Sequence, residues 1–266
     1  LAIAGQPNVG KSTIFNVLPG LDQHVGNWPG KTVEKKSGHF SYEGRRVEIV
    51  DLPGIYSLTC GSEEERVTRD YLMNEPPDAV IAIVNASSLE RNLYLVAELL
   101  MLPVPVVVGL NMIDVAEANS IHVEAPVLEA ALGLPVVELV ATKGKGISQL
   151  VEAAMSFAQN PEIFRPNRPV VRSKHRPVLN EIEELLGGRA PVCYPPDWTA
   201  LKLLEGDNDV TDAVKEAVPD AWEPIHGVLA GHDDAYIDIA GGRYDWIARM
   251  VRAAVVQPRR GVTLIT

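Results

Sequence analysis

Gly5-Gln6-Pro7-Asn8-Val9-Gly10-Lys11-Ser12 is the stretch that decides the fold. It fits the pattern G-x-x-x-x-G-K-[ST]. The apolar run Leu1-Ala2-Ile3-Ala4 precedes it, and a helix-forming stretch over residues 11–18 follows. A glycine-rich turn between a strand and a helix is the setting in which this pattern binds phosphate. Its backbone N–H groups wrap the phosphate oxygens, and the helix N-terminus adds a positive dipole. The expected cradle is Gly5, Asn8, Val9, Gly10, Lys11, Ser12 and Thr13. In it Lys11 reaches the β- and γ-phosphates, and the Ser12 hydroxyl ligates Mg²⁺.

Working outward, residues 1–160 alternate short β-branched runs with longer helical patterns, the rhythm of an α/β sheet. Strands are predicted at 1–4, 36–42, 46–51, 79–85, 104–111 and 136–139, and helices at 11–18, 63–73, 89–100, 123–132 and 147–159. The strands at 79–85, 104–111 and 136–139 are nearly continuous apolar runs, as in parallel strands buried on both faces. Residues 36–42 and 45–51 alternate instead and are joined by Glu43-Gly44, which predicts a hairpin and one antiparallel strand at the sheet edge. Pro161, Pro166, Pro169 and Pro177 then mark a linker over 161–176. Beyond it only helical patterns are visible, around 178–186, 198–205, 211–218 and 246–256. The predicted organisation is a P-loop α/β domain over 1–160, a linker over 161–176 and a small all-α domain over 177–266.

The base and the metal are read from later motifs. Asp51-Leu52-Pro53-Gly54 ends the second hairpin strand. There Asp51 can hold Mg²⁺ through water, and the Gly54 N–H can meet a γ-phosphate. Thr32 lies in the stretch before the hairpin, read as flexible, where a threonine can close over Mg²⁺ when the γ-phosphate is present. Asn111-Met112-Ile113-Asp114 follows the most apolar strand. Asp114 can accept from guanine N1–H and N2–H, two donors that adenine lacks, so the wrong base leaves its charge unpaired. Asn111 is expected to tie this loop to the phosphate loop, and Met112 to pack on the base. In Val140-Ala141-Thr142 the Ala141 N–H is expected at guanine O6, with Thr142 beside it. Val140 stands where a serine is usual, which predicts a looser loop with faster GDP release or relaxed base selectivity.

Composition sets limits. With 24 Lys+Arg against 35 Asp+Glu, the net charge of −11 argues against nucleic acid as the main partner. The 46% hydrophobic content against 22% charged excludes a disordered chain. Cys60 and Cys193 alone form no disulfide framework and fit a reducing compartment, as buried or idle thiols. No run reaches the roughly 18 apolar residues of a membrane helix. The first residue is not Met and the last five, Val262-Thr263-Leu264-Ile265-Thr266, are largely apolar, so both ends read as cut from a longer protein.

The order of these motifs resembles the translation-factor-related GTPases. Three further segments are more specific: Val25-Gly26-Asn27-Trp28-Pro29-Gly30-Lys31-Thr32-Val33-Glu34, Leu89-Glu90-Arg91-Asn92-Leu93-Tyr94-Leu95, and Tyr194-Pro195-Pro196-Asp197-Trp198-Thr199-Ala200-Leu201 with the residues that follow to Asp207. They resemble, in turn, the switch I, the third helix and the helical domain of the FeoB family of bacterial ferrous-iron transport proteins. The resemblance implies a GTP-binding and GTP-hydrolysing domain and a helical domain that stabilises GDP binding. Both then lie at the cytoplasmic face of the inner membrane, ahead of a transmembrane permease region. It leaves homo-oligomerisation open. Arg259-Arg260 suit the cytoplasmic flank of a membrane helix.

Ile55 stands where many small GTPases carry a water-orienting Gln. The resemblance points instead to the potassium-activated class, with K⁺ held by Asn8 and by switch I carbonyls around Gly26 and Trp28. On this reading Asn8, Lys11, Thr32 and Gly54 carry hydrolysis, and Ser12, Thr32 and Asp51 hold Mg²⁺. Two other functions compete: a GTP/GDP switch with incidental hydrolysis, and an RNA- or ribosome-associated potassium-type GTPase. Residues 161–266 carry 13 basic and 16 acidic side chains, which disfavours the RNA reading. His226, His232, Asp233, Asp234 and Asp238 do not have the spacing of a metal site. Trp28 reads equally as an exposed sensor or a packed anchor. Glu63-Glu64-Glu65 complement a helix dipole. The basic residues Arg165, Arg168, Arg172, Lys174 and Arg176 read as a solvated linker.

Overall fold

The structure is a computed structural model that describes all residues except 60, 190, 192–193, 233 and 257–266. Cys60, Cys193, Asp233, Arg259 and Arg260, with the expectations attached to them, lie outside the described residues.

A seven-stranded sheet is built from β1 (Ala2–Gly5), β2 (Asp22–Asn27), β3 (Glu34–Tyr42), β4 (Arg45–Asp51), β5 (Val80–Asn85), β6 (Val106–Asn111) and β8 (Val136–Glu138), in the order β2-β3-β4-β1-β5-β6-β8. The pairs β4-β1, β1-β5, β5-β6 and β6-β8 are parallel. β6 is buried at every position and β5 at all but its last, because helices cover both faces. The predicted hairpin is present, with β3 antiparallel to β4. The antiparallel edge is one strand wider than the sequence indicated. β2, in the stretch read as flexible, pairs with β3 from Asp22↔His39 to Asn27↔Glu34. It is a mostly exposed, polar edge strand, so it carries no buried alternation.

The helices of this part are α1 (Lys11–Asn16), α2 (Glu63–Asn74), α3 (Leu89–Leu99), α4 (Ile113–Ala118), α5 (Ala125–Leu132) and α6 (Ile147–Gln159). α2 begins with a capping box between Ser62 and Glu65, a device contributing about 1 kcal/mol. The helical part comprises α7 (Arg176–Leu186), α8 (Pro196–Leu204), α9 (Asn208–Ala217), α10 (Pro219–Ala230) and α11 (Ala235–Ala254). Trp198 and Trp246 are buried in it. α11 packs against α3 and α5, joining the two parts. The short β9 (Val255–Val256) pairs antiparallel with β7 (His122–Val123), so the second region is not purely helical.

The segment 161–176 is tied down at several points, while its five basic residues stay exposed. Phe164 packs edge-on against Phe157 at 5.5 Å, and Asn167 N–H donates to Leu132 O at 2.8 Å. Arg172 pairs with Asp238 and Asp245, and Lys174 and His175 both reach Asp238. His232 is edge-on to the His175 ring at 6.3 Å, and among the described residues no cluster of His, Cys, Asp and Glu could hold a metal. The Lys174 and His175 partners, with Arg172, hold the Asp238 carboxyl at about 2, against an ordinary 3.8. A depressed carboxylate stabilises the fold above its unfolded value and loses that contribution as pH falls through the folded one. Limited proteolysis of 165–175 is therefore expected to accelerate as pH drops from about 4 toward 2. In Asp238→Asn it should be fast at neutral pH too.

Candidate functional site

The site lies at the carboxyl ends of the parallel strands, where ligands bind in open α/β sheets. The loop from β1 to α1 bends through Asn8 (φ 63°) and Gly10 (φ 96°), both left-handed. A Cβ on Gly10 would collide with the Asn111 side-chain amide, so glycine is required there. Lys11 is buried and its ammonium donates to Gly5 O at 3.0 Å and Gln6 O at 3.1 Å. Burial lowers its pKa, and Asp51 opposes the shift.

Ser12 Oγ donates to Asp51 Oδ2 at 3.0 Å. The other Asp51 oxygen, Oδ1, is buried without a partner. Burial raises the Asp51 pKa, against the Ser12 hydrogen bond and the Lys11 charge. An orphaned carboxylate oxygen beside a hydroxyl is the hard-oxygen donor set that suits Mg²⁺. Gly54 rides on the phosphate loop: a Cβ there would stand 3.1 Å from both Pro7 Cα and Lys11 Nζ. Ile55 is 2% exposed, so its side chain faces the core and cannot orient water.

Asn111 bridges two loops. Its Nδ2 donates to Val9 O at 2.9 Å, and its Oδ1 accepts from Ala141 N–H at 3.0 Å. The predicted tie to the phosphate loop is present. The Ala141 N–H, expected at guanine O6, is here donated to Asn111. Met112 (φ 62°) is half-buried at the start of α4. Asp114 accepts from Val115 N–H at 3.0 Å and lies 3.4 Å from Lys143 Nζ, a partner the motif reading did not assign. Thr142 is exposed next to it. Val140 is buried and exchanges two backbone hydrogen bonds with Lys145, so its loop is pinned by the main chain.

The stretch around Thr32 sits elsewhere. Thr32 Oγ1 donates to Glu63 Oε2 at 2.9 Å, not to the Ser12–Asp51 pair. Trp28 is a packed anchor, 7% exposed and edge-on to Tyr71 at 5.3 Å. Its carbonyl accepts from Lys31 N–H at 3.0 Å, and Gly26 lies in the ladder opposite Lys35. Asn8 is exposed.

Sequence reasoning missed a buried ion network below the Asp51–Gly54 turn. Glu98 accepts from Leu58 N–H at 2.6 Å and meets Lys202 at 3.3 Å; Lys202 also reaches Glu205 at 2.8 Å and Thr59 Oγ1 at 2.9 Å. Arg243 joins Glu205 and Glu98. Arg69 of α2, 2% exposed, pairs with Asp207 at 3.3 Å. A cavity of about 680 Å³ lies away from the phosphate cradle. It opens between Tyr56, Arg91, Tyr94 and Tyr244, and its walls include Gln6 on the sheet side.

The family model for Ferrous iron transport protein B matches residues 1–154, and that for the FeoB cytosolic helical domain matches 176–256. The chain belongs to the FeoB family. It is 39% identical over 259 residues to the Fe(2+) transporter FeoB of Escherichia coli K12, and 37% identical over 254 residues to that of Salmonella typhimurium. In each case 93% of this chain is matched, and it spans 32% of the relative's length. A GDP-bound variant of the S. thermophilus FeoB cytosolic region superimposes with a TM-score of 0.85 at 35% identity, covering 96% of this chain and 98% of that one. The cytosolic domain of T. maritima FeoB in its GMPPNP form gives 0.80 at 32% identity, covering 96% and 98%. The mostly parallel sheet followed by a helical region is the FeoB architecture. Among the described residues no helix is long and apolar enough to cross a membrane.

Proposed function

We propose that this region binds GTP and GDP and hydrolyses GTP as the nucleotide-driven part of a ferrous-iron transporter, at the cytoplasmic face of the inner membrane. The observation that carries the reading is the joint presence of the Lys11 cradle, the Ser12–Asp51 pair with its free buried oxygen, and Asp114 beyond the Asn111 bridge. GDP in the similar S. thermophilus structure supports the guanine assignment.

Lys11 rests on its own loop carbonyls. A bound nucleotide offers stronger acceptors, and the ammonium turns to the β- and γ-phosphate oxygens. Ser12, Asp51 and, in the closed state, Thr32 would hold Mg²⁺, which supplies charge neutralisation at the phosphates. Gly54, packed against Lys11 and Pro7, would offer its N–H to the γ-phosphate. Asp114 reads guanine N1–H and N2–H, with Ala141 and Thr142 at the base edge and Met112 against its face. With Ile55 buried, no side chain directly after the Gly54 turn orients water. Asn8 and the Gly26 and Trp28 carbonyls would hold a potassium ion, which would supply the missing charge. The permease region is the partner that senses the nucleotide state.

Phosphate release measured with GTP and ATP, each in K⁺ and Na⁺, tests this. Slow turnover of GTP alone is expected, about tenfold faster in K⁺, on the scale of one added charge contact. Asn8→Ala should abolish the salt difference. Equal rates in both salts remove the potassium role, and equal rates for both nucleotides remove the base assignment.

A further inference from the structure

Thr32 cannot serve two partners. The proposed function needs its hydroxyl at the Ser12–Asp51 pair, yet here it is spent on Glu63, in the first turn of α2. This contact is not alone. Trp28 N–H to Val33 O (2.9 Å) and Lys31 N–H to Trp28 O (3.0 Å) close a tight turn over 28–33. The turn lays its side chains along α2. The Trp28 ring is edge-on to Tyr71 at 5.3 Å, and Lys35 Nζ caps both rings, 4.5 Å from Trp28 and 5.8 Å from Tyr71. The Lys31 charge acts on Asp70, partly offsetting the upward push of burial on that carboxyl. Glu63, Asp70 and Tyr71 are spaced i, i+7 and i+8, so they share one face of α2.

We infer that this face of α2 is a dock that holds switch I in an open resting state, with Glu63 and Tyr71 as positioning residues that compete with the metal site for Thr32. The inference rests on the GTPase reading above and adds a regulatory step to it. Two attachments of different chemistry hold the dock. One is a charge-assisted hydrogen bond at Thr32, and the other is an aromatic seat for Trp28. Closing over the nucleotide must break both. Weakening either therefore favours the closed state by population shift. The aromatic seat also leaves a reporter, because the Trp28 indole Nε1 is buried without a partner and regains water when the dock opens.

The test uses Glu63→Ala, Glu63→Gln and Tyr71→Leu in the whole chain, with Trp28→Phe to isolate the Trp28 emission by difference. In the GDP form Trp28 should emit as a buried indole. It should shift to the red with Mg²⁺ and a non-hydrolysable GTP analogue. Glu63→Ala and Tyr71→Leu should show part of that shift with GDP alone, and raise the single-turnover GTP hydrolysis rate about tenfold, a 1.4 kcal/mol change in the docking equilibrium. Glu63→Gln keeps an acceptor for Thr32 and should stay near the parent. GDP affinity should be unchanged in all three. Unaltered Trp28 emission and rates in Glu63→Ala and Tyr71→Leu overturn the dock. If the parent protein hydrolyses no GTP, the GTPase reading fails by itself, while the analogue-driven emission change still decides the dock.

Discussion

Asp114→Asn is expected to weaken GDP binding by about 10³-fold and to raise affinity for xanthosine diphosphate. The carboxylate stands at the start of α4, its Oδ1 accepting from Val115 N–H and its Oδ2 3.4 Å from Lys143. Guanine presents two donors, N1–H and N2–H, to these acceptors. An amide replaces one acceptor by a donor, so one guanine donor then faces another donor and goes unpaired. Xanthine has a carbonyl where guanine has its 2-amino group, and that carbonyl accepts from the new amide. The side chain is 39% exposed in the free protein, so substitution should cost little folding stability. Titration of fluorescent GDP, XDP and ADP analogues measures the exchange. GDP affinity equal to the parent's would show that Asp114 does not read the base.

How far such a site can be read in advance depends on whether its partners are local. The phosphate loop, Asp51, Asn111 and Asp114 each follow a strand whose apolar run marks it, as β5 and β6 do with almost complete burial. They therefore come together wherever a parallel sheet forms. β2 escaped notice because an exposed edge strand has no buried face to impose a period of two. α10 was hidden by Pro224 inside it, and the first half of α11 by Gly241-Gly242, although packing overrides both breakers. Long-range ion pairs leave no sequence period at all. Arg69 meets Asp207 across 138 positions, and Lys202 meets Glu98 across 104. The pairing of Arg172 and Lys174 was hidden for the same reason, since their acidic partners stand on α11.

Those hidden pairs join the Asp51–Gly54 turn and α2 to the helical part. Arg69 and Arg66 reach Asp207 and Asp209 at the start of α9, and Lys202 of α8 reaches Thr59 in the chain leading from that turn to α2. The segment expected to respond to nucleotide therefore shares charged side chains with α8 and α9. A rearrangement there has to break or carry with it these contacts.

Lys202→Met should be among the most destabilising single changes in the chain, about 3–5 kcal/mol, seen as a melting temperature lower by about 10 °C. Lys202 is 2% exposed on its side chain, as is Glu98. Removing the ammonium leaves Glu98 buried with Arg243, the Leu58 N–H and the Ser57 hydroxyl to balance it, and takes from Glu205 one of the two cations it meets. In the parent, burial pushes the Glu98 carboxyl upward, but the Lys202 and Arg243 charges and the Leu58 hydrogen bond outweigh it and hold it below its ordinary 4.5. A depressed carboxylate stabilises the fold above its unfolded value, and that contribution fades as pH falls through the folded one. In Lys202→Met the first of these charges is gone, so the Glu98 carboxyl moves upward and the stability lost on acidification through this group should be smaller than in the parent. Adding Glu98→Gln removes the carboxylate, so the double variant should recover much of the loss and show no such pH response near this group. Denaturant melts of the parent, both single variants and the double variant at two pH values measure the coupling. If Lys202→Met melts with the parent at both pH values, the ammonium does not balance Glu98, and the network holds the turn by packing alone.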